Sequence, residues 1–140
     1  EVLDKILTEQ PFMEFVQLQF NYLDYDDPSV QSKACYDVAV KHGKKVLVME
    51  PVKGGALVNL HERAANALKK YGDCSEAAYA MRFVLSFPEI VLVLSGMGDM
   101  NMINDNVNTF KNAVPYTKEE IDGFADVRSI IREVKQLKMY

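Results

Sequence analysis

The strongest constraint on the fold is an alternation of short apolar runs with amphipathic helical patterns. Residues 15–20 alternate apolar and polar side chains after Phe15, as in a strand with one buried face. Residues 46–49 and 90–94 are continuous apolar runs, which is typical of strands buried on both faces of a parallel sheet. Helical patterns precede and follow each run, so the sequence predicts right-handed βαβ units in an α/β fold. Three strands fit the start of a doubly wound sheet or an arc of a (β/α)8 barrel, and their spacing does not decide between the two.

Helix boundaries are predicted from capping residues. Asp27 is the expected N-cap of a helix whose first position is Pro28, where the missing N–H is not needed. Ser75 and Asp99 are the expected N-caps of two later helices. Residues 117–120, Thr-Lys-Glu-Glu, form a capping box that opens the last helix.

Composition limits the classes of protein to which the chain can belong. Its 140 residues are 49% hydrophobic and 26% charged, which predicts one globular unit over residues 1–140. A formal net charge of −4 without a basic cluster argues against a nucleic-acid partner or an anionic membrane surface. Two cysteines are too few for a disulfide framework or a four-thiolate metal site, and they suit a reducing cytoplasm. No apolar run approaches the ~20 residues that span a bilayer.

The amino terminus predicts that the chain is a fragment of a longer protein. It carries no signal-peptide pattern and does not begin with methionine. It begins within an amphipathic pattern formed by Val2, Leu3, Ile6 and Leu7, as the remainder of an earlier helix would. We therefore expect a cytoplasmic fragment.

The segments that follow the strands are the expected place for a ligand, because parallel α/β folds bind ligands at the carboxyl ends of their strands. The third segment, Ser95-Gly96-Met97-Gly98, joins an apolar strand to a helix start. Unpaired N–H groups and the helix dipole there favour a phosphate, and glycine permits close approach of the backbone. An ordinary tight turn is the other interpretation, and the Asp99 carboxylate would compete for the same N–H groups.

The other ionisable residues carry weaker signals. Asp24, Asp26 and Asp27 suit turn and capping roles better than a metal or acid–base cluster. Glu50 follows a strand and is either a site residue or the first exposed position, whereas Lys53 is more typical of a solvated loop residue. No Ser-His-Asp or Cys-His arrangement and no metal-ligand spacing stands in the sequence, so we predict neither a catalytic group nor a metal site.

Three stretches at these strand ends resemble the aldo/keto reductase family. They are FVQLQFNYLDYD, HGKKVLVMEPVKGGAL and EIVLVLSGMGDMNMINDNV. Their order and separations, from about Glu14 to the end of the chain, agree with the last three strands of that family's barrel. The resemblance implies the C-terminal half of a (β/α)8 TIM barrel, and part of an oxidoreductase that reduces carbonyl groups by hydride transfer from NADPH or NADH. The stretches EPVKGGAL and VLSGM are similar to a bacterial branch that often carries an iron–sulfur tail, whose cysteines would follow Tyr140 and lie outside this sequence.

The resemblance also implies which residues contact the cofactor. Gln17 matches the family's glutamine that binds the nicotinamide carboxamide, and Met49 falls where many members stack a tyrosine on the nicotinamide ring. The remaining implied contacts are Glu50, Pro51, Val52 and Lys53 along the pyrophosphate, Ser95, Gly96, Met97 and Gly98 at the adenosine 2′-phosphate, and Asp105 and Asn106 at the adenine. NADPH-dependent members usually place a lysine and an arginine at the 2′-phosphate. This chain has Gly96 and Met102 there, so NADPH and NADH both stay open.

The family's catalytic Asp, Tyr, Lys and His belong to the half of the barrel that this sequence does not match. The resemblance therefore implies an enzyme as the parent and an inactive chain when alone. Two alternatives stay open: a stand-alone half-barrel that binds a nucleotide or another subunit without catalysis, and an unrelated α/β phosphate-binding domain. A three-strand arc also exposes two sheet edges, which predicts self-association.

Overall fold

Three parallel strands form the centre of the fold and confirm the expected α/β class. The computed structural model describes residues 1–137 of the chain. Strands β1 (Phe15–Gln19), β2 (Lys45–Met49) and β3 (Ile90–Val93) lie side by side in chain order. The helices are α1 (Val2–Glu9), α2 (Ser32–Lys41), α3 (Glu62–Leu68), α4 (Glu76–Leu85), α5 (Met100–Asn112) and α6 (Lys118–Leu137), with a 3₁₀ turn at Lys69–Tyr71. Helices separate consecutive parallel strands, which is the βαβ pattern that the sequence predicts.

Helices pack on one face of the sheet, and the other face is open. Val46 and Val48 of β2 are fully buried on the packed face. Leu47 pairs with Leu92 of β3 on the opposite face, where Leu92 is 45% exposed and Met49 is 38% exposed. The expected burial of β2 and β3 on both faces is therefore wrong for the part of the chain that the structure describes, because no described element covers the second face.

The buried face rests on a cluster of aromatic rings. Phe20, just after β1, packs edge-on against Phe87 with 4.8 Å between ring centroids. Phe83 of α4 lies 5.0 Å from Phe124 of α6, again edge-on. Such pairs add to the large apolar area that each ring buries. The cluster thus joins the sheet to α4 and α6 and holds the carboxyl ends of the strands in place.

Three predicted helix starts are confirmed by their hydrogen bonds. Ser75 Oγ accepts from the Ala78 N–H at 3.0 Å, and Asp99 Oδ1 accepts from the Met102 N–H at 2.9 Å. In the predicted capping box, the Thr117 N–H donates to Glu120 Oε2 at 2.8 Å. The Glu120 N–H donates back to Thr117 Oγ1 at 3.2 Å. Each bond satisfies an N–H group that a helix start otherwise leaves unpaired.

The predicted start of α2 at Asp27 and Pro28 is wrong. Helix α2 begins at Ser32, after Gln31 in the left-handed conformation with φ of 57°. Asp27 instead accepts from the Ser29 N–H at 2.8 Å and from the Ser29 hydroxyl at 2.5 Å. These local bonds stabilise a turn over residues 28–30 in competition with the helix.

The last helix behaves as its periodicity predicts. One side of α6 is buried, and its residues are Ile121, Phe124, Ile131 and Val134.

None of the helices in residues 1–137 combines the length and the apolar character needed to cross a membrane.

Candidate functional site

A cleft of about 880 Å³ lies at the carboxyl ends of β2 and β3. The loop after β2 forms one wall, and the turn after β3 with the first turns of α5 forms the other. Ala77 and Met81 of α4 also line it. A cleft of this size at this end of a parallel sheet is the usual position of a small-molecule site.

Most of the residues expected at a cofactor line this one cleft. They are Met49, Glu50, Pro51, Val52, Ser95, Gly96, Met97, Asp105 and Asn106. Gln17, Lys53 and Gly98 do not line it. The cleft is also lined by residues outside the predicted cofactor contacts, which are Gly54, Gly55, Val58, Asn59, Ala77, Met81, Leu94 and Met102. In the sequence, Ala77 and Met81 occupy core positions of an amphipathic helix; in the structure α4 packs against α5, and both residues line the cleft.

Gln17 stands beside the cleft, not in it. Its Nε2 donates to the Met49 sulfur at 3.3 Å across neighbouring strands. A thioether is a weak acceptor, so this contact orients the amide without consuming a strong hydrogen bond. The Gln17 carboxamide is exposed on the open face of the sheet, next to a residue that lines the cleft.

The loop after β2 has an unusual backbone. Glu50 has a φ of 57° and Lys53 a φ of 51°, both in the left-handed region that non-glycine residues seldom adopt. Asn21 holds the start of this loop, because its Nδ2 donates to the Glu50 carbonyl at 2.9 Å. Asn21 also accepts from the backbone N–H groups of Leu23 and Asp24, so one buried amide joins the segment after β1 to the loop.

The Lys53 side chain is paired with Asp24 and turned away from the cleft. Asp24 is 1% exposed, and its carboxylate accepts from the Lys53 ammonium. Its other oxygen accepts from Gln19 at 2.7 Å and from Asn21 at 2.8 Å. Burial by itself would raise the pKa of Asp24, but these hydrogen bonds and the nearby charge of Lys53 outweigh it and hold the pKa below its usual value.

The acidic residues after β1 do not form a metal site. Asp26 is paired with Arg128 at 2.9 Å and with Arg132 at 2.7 Å, both on α6. Within the described residues, no group of three metal-ligating side chains is close enough to hold an ion. Asp24 and Asp26 therefore join segments of the fold, a wider role than the sequence favours, whereas Asp27 keeps the expected turn role.

The turn after β3 has several of its donors already engaged. The Gly98 N–H points at the Met102 sulfur at 3.4 Å, and the Met102 N–H is bonded to the Asp99 carboxylate at 2.9 Å. Ser95 Oγ accepts from Asn106 Nδ2 at 3.1 Å, which links the turn to α5. Asp99 thus occupies one of the N–H groups for which a phosphate is predicted to compete.

Ser75 supports the α5 wall in a way that the sequence does not reveal. The hydroxyl that caps α4 also donates to Asp105 Oδ2 at 2.6 Å. Asp105 lies thirty residues further along the chain, so local patterns carry no sign of this bond. It fixes one oxygen of a carboxylate that lines the cleft, and it leaves the acceptor capacity of the second oxygen for a ligand.

The electrostatic character of the cleft is acidic. Glu50 and Asp105 are the ionisable side chains among its described lining residues, and the others are apolar or neutral. Asn59, Ser95 and Asn106 supply neutral donors and acceptors. Thioethers of Met49, Met97 and Met102 supply an adaptable apolar surface. The lining therefore suits the neutral heteroaromatic and hydroxyl-bearing parts of a ligand.

Comparison with known proteins assigns a family to this arrangement. Residues 1–129 match the aldo/keto reductase family. The holo form of the aldo-keto reductase AKR11C1 from Bacillus halodurans superposes with a TM-score of 0.70 at 18% identity, over 90% of this chain and 46% of that one. The thermostable aldo-keto reductase Tm1743, solved with the inhibitor epalrestat, superposes with a TM-score of 0.59 at 15% identity, over 79% of this chain and 38% of that one. No curated protein matches the sequence.

These structural likenesses establish the fold. The three strands and flanking helices correspond to part of the aldo-keto reductase (β/α)8 barrel. The chain spans less than half the length of these two solved proteins.

Proposed function

Because the chain belongs to the aldo/keto reductase family, an oxidoreductase family, we propose that it is the cofactor-binding part of an enzyme that reduces carbonyl groups with NADPH or NADH. The observation that carries this proposal is the convergence of separate segments on one cleft. Segments after β2 and β3 and the start of α5 are distant in sequence, yet all line it. A dinucleotide needs such an extended cleft at the strand ends of a parallel fold.

Different lining residues of the cleft suit the two ends of a dinucleotide. Met49 and the neighbouring Gln17 amide offer an apolar contact and a hydrogen-bonding group for the nicotinamide and its carboxamide. On the α5 wall, Asp105 and Asn106 each keep hydrogen-bonding capacity beyond their bonds to Ser75 and Ser95, which suits an adenosine.

The middle of the cleft would accommodate the remaining contacts. We assign Glu50, Pro51 and Val52 to the wall beside the pyrophosphate, and Ser95, Gly96 and Met97 to the adenosine side. Lys53 and Gly98 stand outside the lining, so we assign Lys53 to support of the loop and Gly98 to the turn that opens α5.

Reduction of a carbonyl group requires a proton donor in addition to a cofactor cleft. The bound cofactor would supply a hydride, and the carbonyl oxygen must then receive a proton from a general acid. Glu50 and Asp105 are the ionisable residues among the described lining, and Asp105 is already bonded to the Ser75 hydroxyl. We therefore propose that the 140-residue chain binds the cofactor without turnover, and that the complete reaction uses residues outside this sequence.

The open edges of the sheet support a further proposal of self-association. The outer strands β1 and β3 each have one side without a partner strand in the described residues. Phe15 and Val91 on these strands are more than half exposed. Unpaired strand edges with apolar side chains are templates for pairing between chains.

Titration of the chain with NADH, followed by the fluorescence of the reduced nicotinamide, tests cofactor binding. We expect saturable binding, and about two- to tenfold weaker binding by Gln17→Ala, since one hydrogen bond is lost. Gln10→Ala is the matched control, because Gln10 is exposed just after α1 and does not line the cleft. Equal effects of the two variants, or no binding by the wild type, would contradict the proposal.

The same titration separates the alternatives. A nucleotide-binding module without a redox role would bind ADP as tightly as NADH and would be insensitive to Gln17→Ala. Turnover of a carbonyl substrate by the pure chain would contradict its proposed inactivity.

A further inference from the structure

We infer that the cleft selects the nicotinamide dinucleotide that lacks a 2′-phosphate, so that NADH is its cofactor and NADPH is discriminated against. This inference rests on the proposed function and concerns the adenosine side of the same cleft. Three independent features of the charge distribution carry it.

The first feature is the sign of the lining. Glu50 and Asp105 both line the cleft, and its described lining contains no lysine, arginine or histidine. NADH and NADPH share the charged pyrophosphate, but a 2′-phosphate brings up to two further negative charges into a space already edged by carboxylates. Like charges in a partly enclosed cleft repel one another, because the walls reduce screening by water.

The second feature is that the Asp99 carboxylate already caps the start of α5. A helix start attracts anions when its N–H groups are unpaired. Here the Asp99 carboxylate is bonded to the Met102 N–H at 2.9 Å, and the Gly98 N–H faces the Met102 sulfur at 3.4 Å. Asp99 also places a negative charge where the helix dipole is positive, which opposes the binding of a second anion at this end of α5.

The third feature is the position of the nearest loop cation. Lys53 follows the cleft-lining segment of residues 50–52, but its ammonium is held by Asp24, a carboxylate that is itself almost fully buried. Redirecting Lys53 to a phosphate would leave that buried carboxylate without its cation. Buried charges that lose their partner are strongly destabilising, so Asp24 keeps Lys53 out of the cleft.

Steric exclusion does not explain the discrimination against NADPH. A Cβ atom added at Gly96 would meet nothing within 4 Å, so the adenosine side has room for a larger group. The same room makes Gly96 a suitable position for introducing a cation. Met102 lines the cleft nearby and is half exposed, so it offers a second such position.

The experiment compares NADH and NADPH by titration with wild type and with the double variant Gly96→Lys/Met102→Arg. We expect wild type to bind NADH at least about tenfold more tightly than NADPH at low ionic strength, where the Debye length is about 30 Å. The double variant should reduce or invert this ratio by adding cations to the lining. Asn104→Lys is the matched control, because Asn104 is an exposed α5 residue outside the lining and its substitution should change the ratio less than the double variant does.

Salt provides a readout that a steric mechanism would not move. At about 1 M salt the Debye length falls to about 3 Å, so the wild-type preference for NADH should shrink. Equal or tighter binding of NADPH by wild type overturns the inference while leaving the proposed function intact. A preference for NADH that is independent of salt, or unchanged in the double variant, overturns its electrostatic basis. Absence of binding by both cofactors overturns the proposed function and this inference together.

Discussion

Lys53 and Asp24 form an ion pair that joins the loop after β2 to the segment after β1. The Asp24 carboxylate lies almost wholly inside the protein, whereas about a third of the Lys53 side chain is exposed. Gln19 and Asn21 donate to the same carboxylate, and Asn21 also holds the Glu50 carbonyl. This network fixes the left-handed backbone at Glu50 and Lys53, and with it one wall of the cleft.

Lys53→Met is therefore expected to lower the free energy of unfolding by about 1–3 kcal/mol at neutral pH, because it leaves a buried carboxylate without its cation. The pKa of Asp24 lies below its usual value of about 3.9 in the folded state. The stabilisation is thus fully present above the unfolded-state pKa and is lost as pH falls through the folded-state pKa. Urea unfolding from pH 7 to pH 2 should show the wild-type advantage shrinking over that acidic range.

Lys33→Met serves as the control for this prediction. Lys33 is paired with Asp37 one helical turn away, and both side chains are substantially exposed. Exposed pairs of this spacing contribute about 0.3–0.5 kcal/mol. An equal loss of stability in both variants would show that burial of Asp24 does not strengthen the Lys53 pair.

Features set by a few neighbouring residues were predictable from the sequence. The caps at Ser75 and Asp99 and the capping box of residues 117–120 are bonds between groups three residues apart. The predicted start of α2 was wrong because a second local bond, from the Ser29 N–H to Asp27, competes with the expected cap. The positions of the strand ends followed from the α/β pattern, so most of the expected residues reached one cleft.

Features that depend on distant residues were not predictable. The pairing of Lys53 with Asp24 joins residues 29 positions apart, and Lys53 alone looks like a solvated loop residue. The open face of the sheet was missed for a related reason. An apolar run shows that a strand prefers burial, but it does not show whether an element is available to cover each face.

Gly123→Ala is expected to destabilise the fold although it removes a glycine from the interior of a helix. A Cβ at this position would lie 2.8 Å from the Tyr71 hydroxyl oxygen. The Tyr71 ring cannot withdraw easily, because it stacks on Phe124 with 4.4 Å between centroids and 12° between planes. Overpacking of about 1–3 kcal/mol exceeds the helix-propensity gain of about 1 kcal/mol, so unfolding should be easier by about 1 kcal/mol.

Tyr71→Phe tests the cause of that effect. The Tyr71 hydroxyl makes no hydrogen bond to a described residue, so its removal should by itself change stability little. In the Tyr71→Phe background the close contact is gone, and Gly123→Ala should become neutral or stabilising by up to about 1 kcal/mol. A destabilisation that persists in this background would rule out the hydroxyl as its source.

Self-association should depend on the outer strand β3. Light scattering over a range of concentrations is expected to show growth beyond the monomer, and Val91→Lys should shift the distribution toward the monomer, because a charged side chain opposes edge pairing. Val114→Lys is the control: Val114 is 70% exposed, compared with 57% for Val91, but it lies in the loop after α5. A wild-type chain that stays monomeric at every concentration would contradict self-association, and equal responses of the two variants would contradict the role of β3.

Ser75 should couple the stability of α4 to ligand binding, because one hydroxyl caps that helix and also holds Asp105. Ser75→Ala is expected to lower the free energy of unfolding by about 1 kcal/mol through loss of the cap. It should also weaken NADH binding about two- to tenfold, since Asp105 loses the bond that orients its carboxylate. Thr117→Ala is the control, because Thr117 caps α6 but does not line the cleft. Its Oγ1 accepts from the Glu120 N–H at 3.2 Å. Thr117→Ala should lower the free energy of unfolding as much as Ser75→Ala does, but it should leave NADH binding unchanged. Equal NADH binding by the two variants would show that Asp105 needs no support from Ser75.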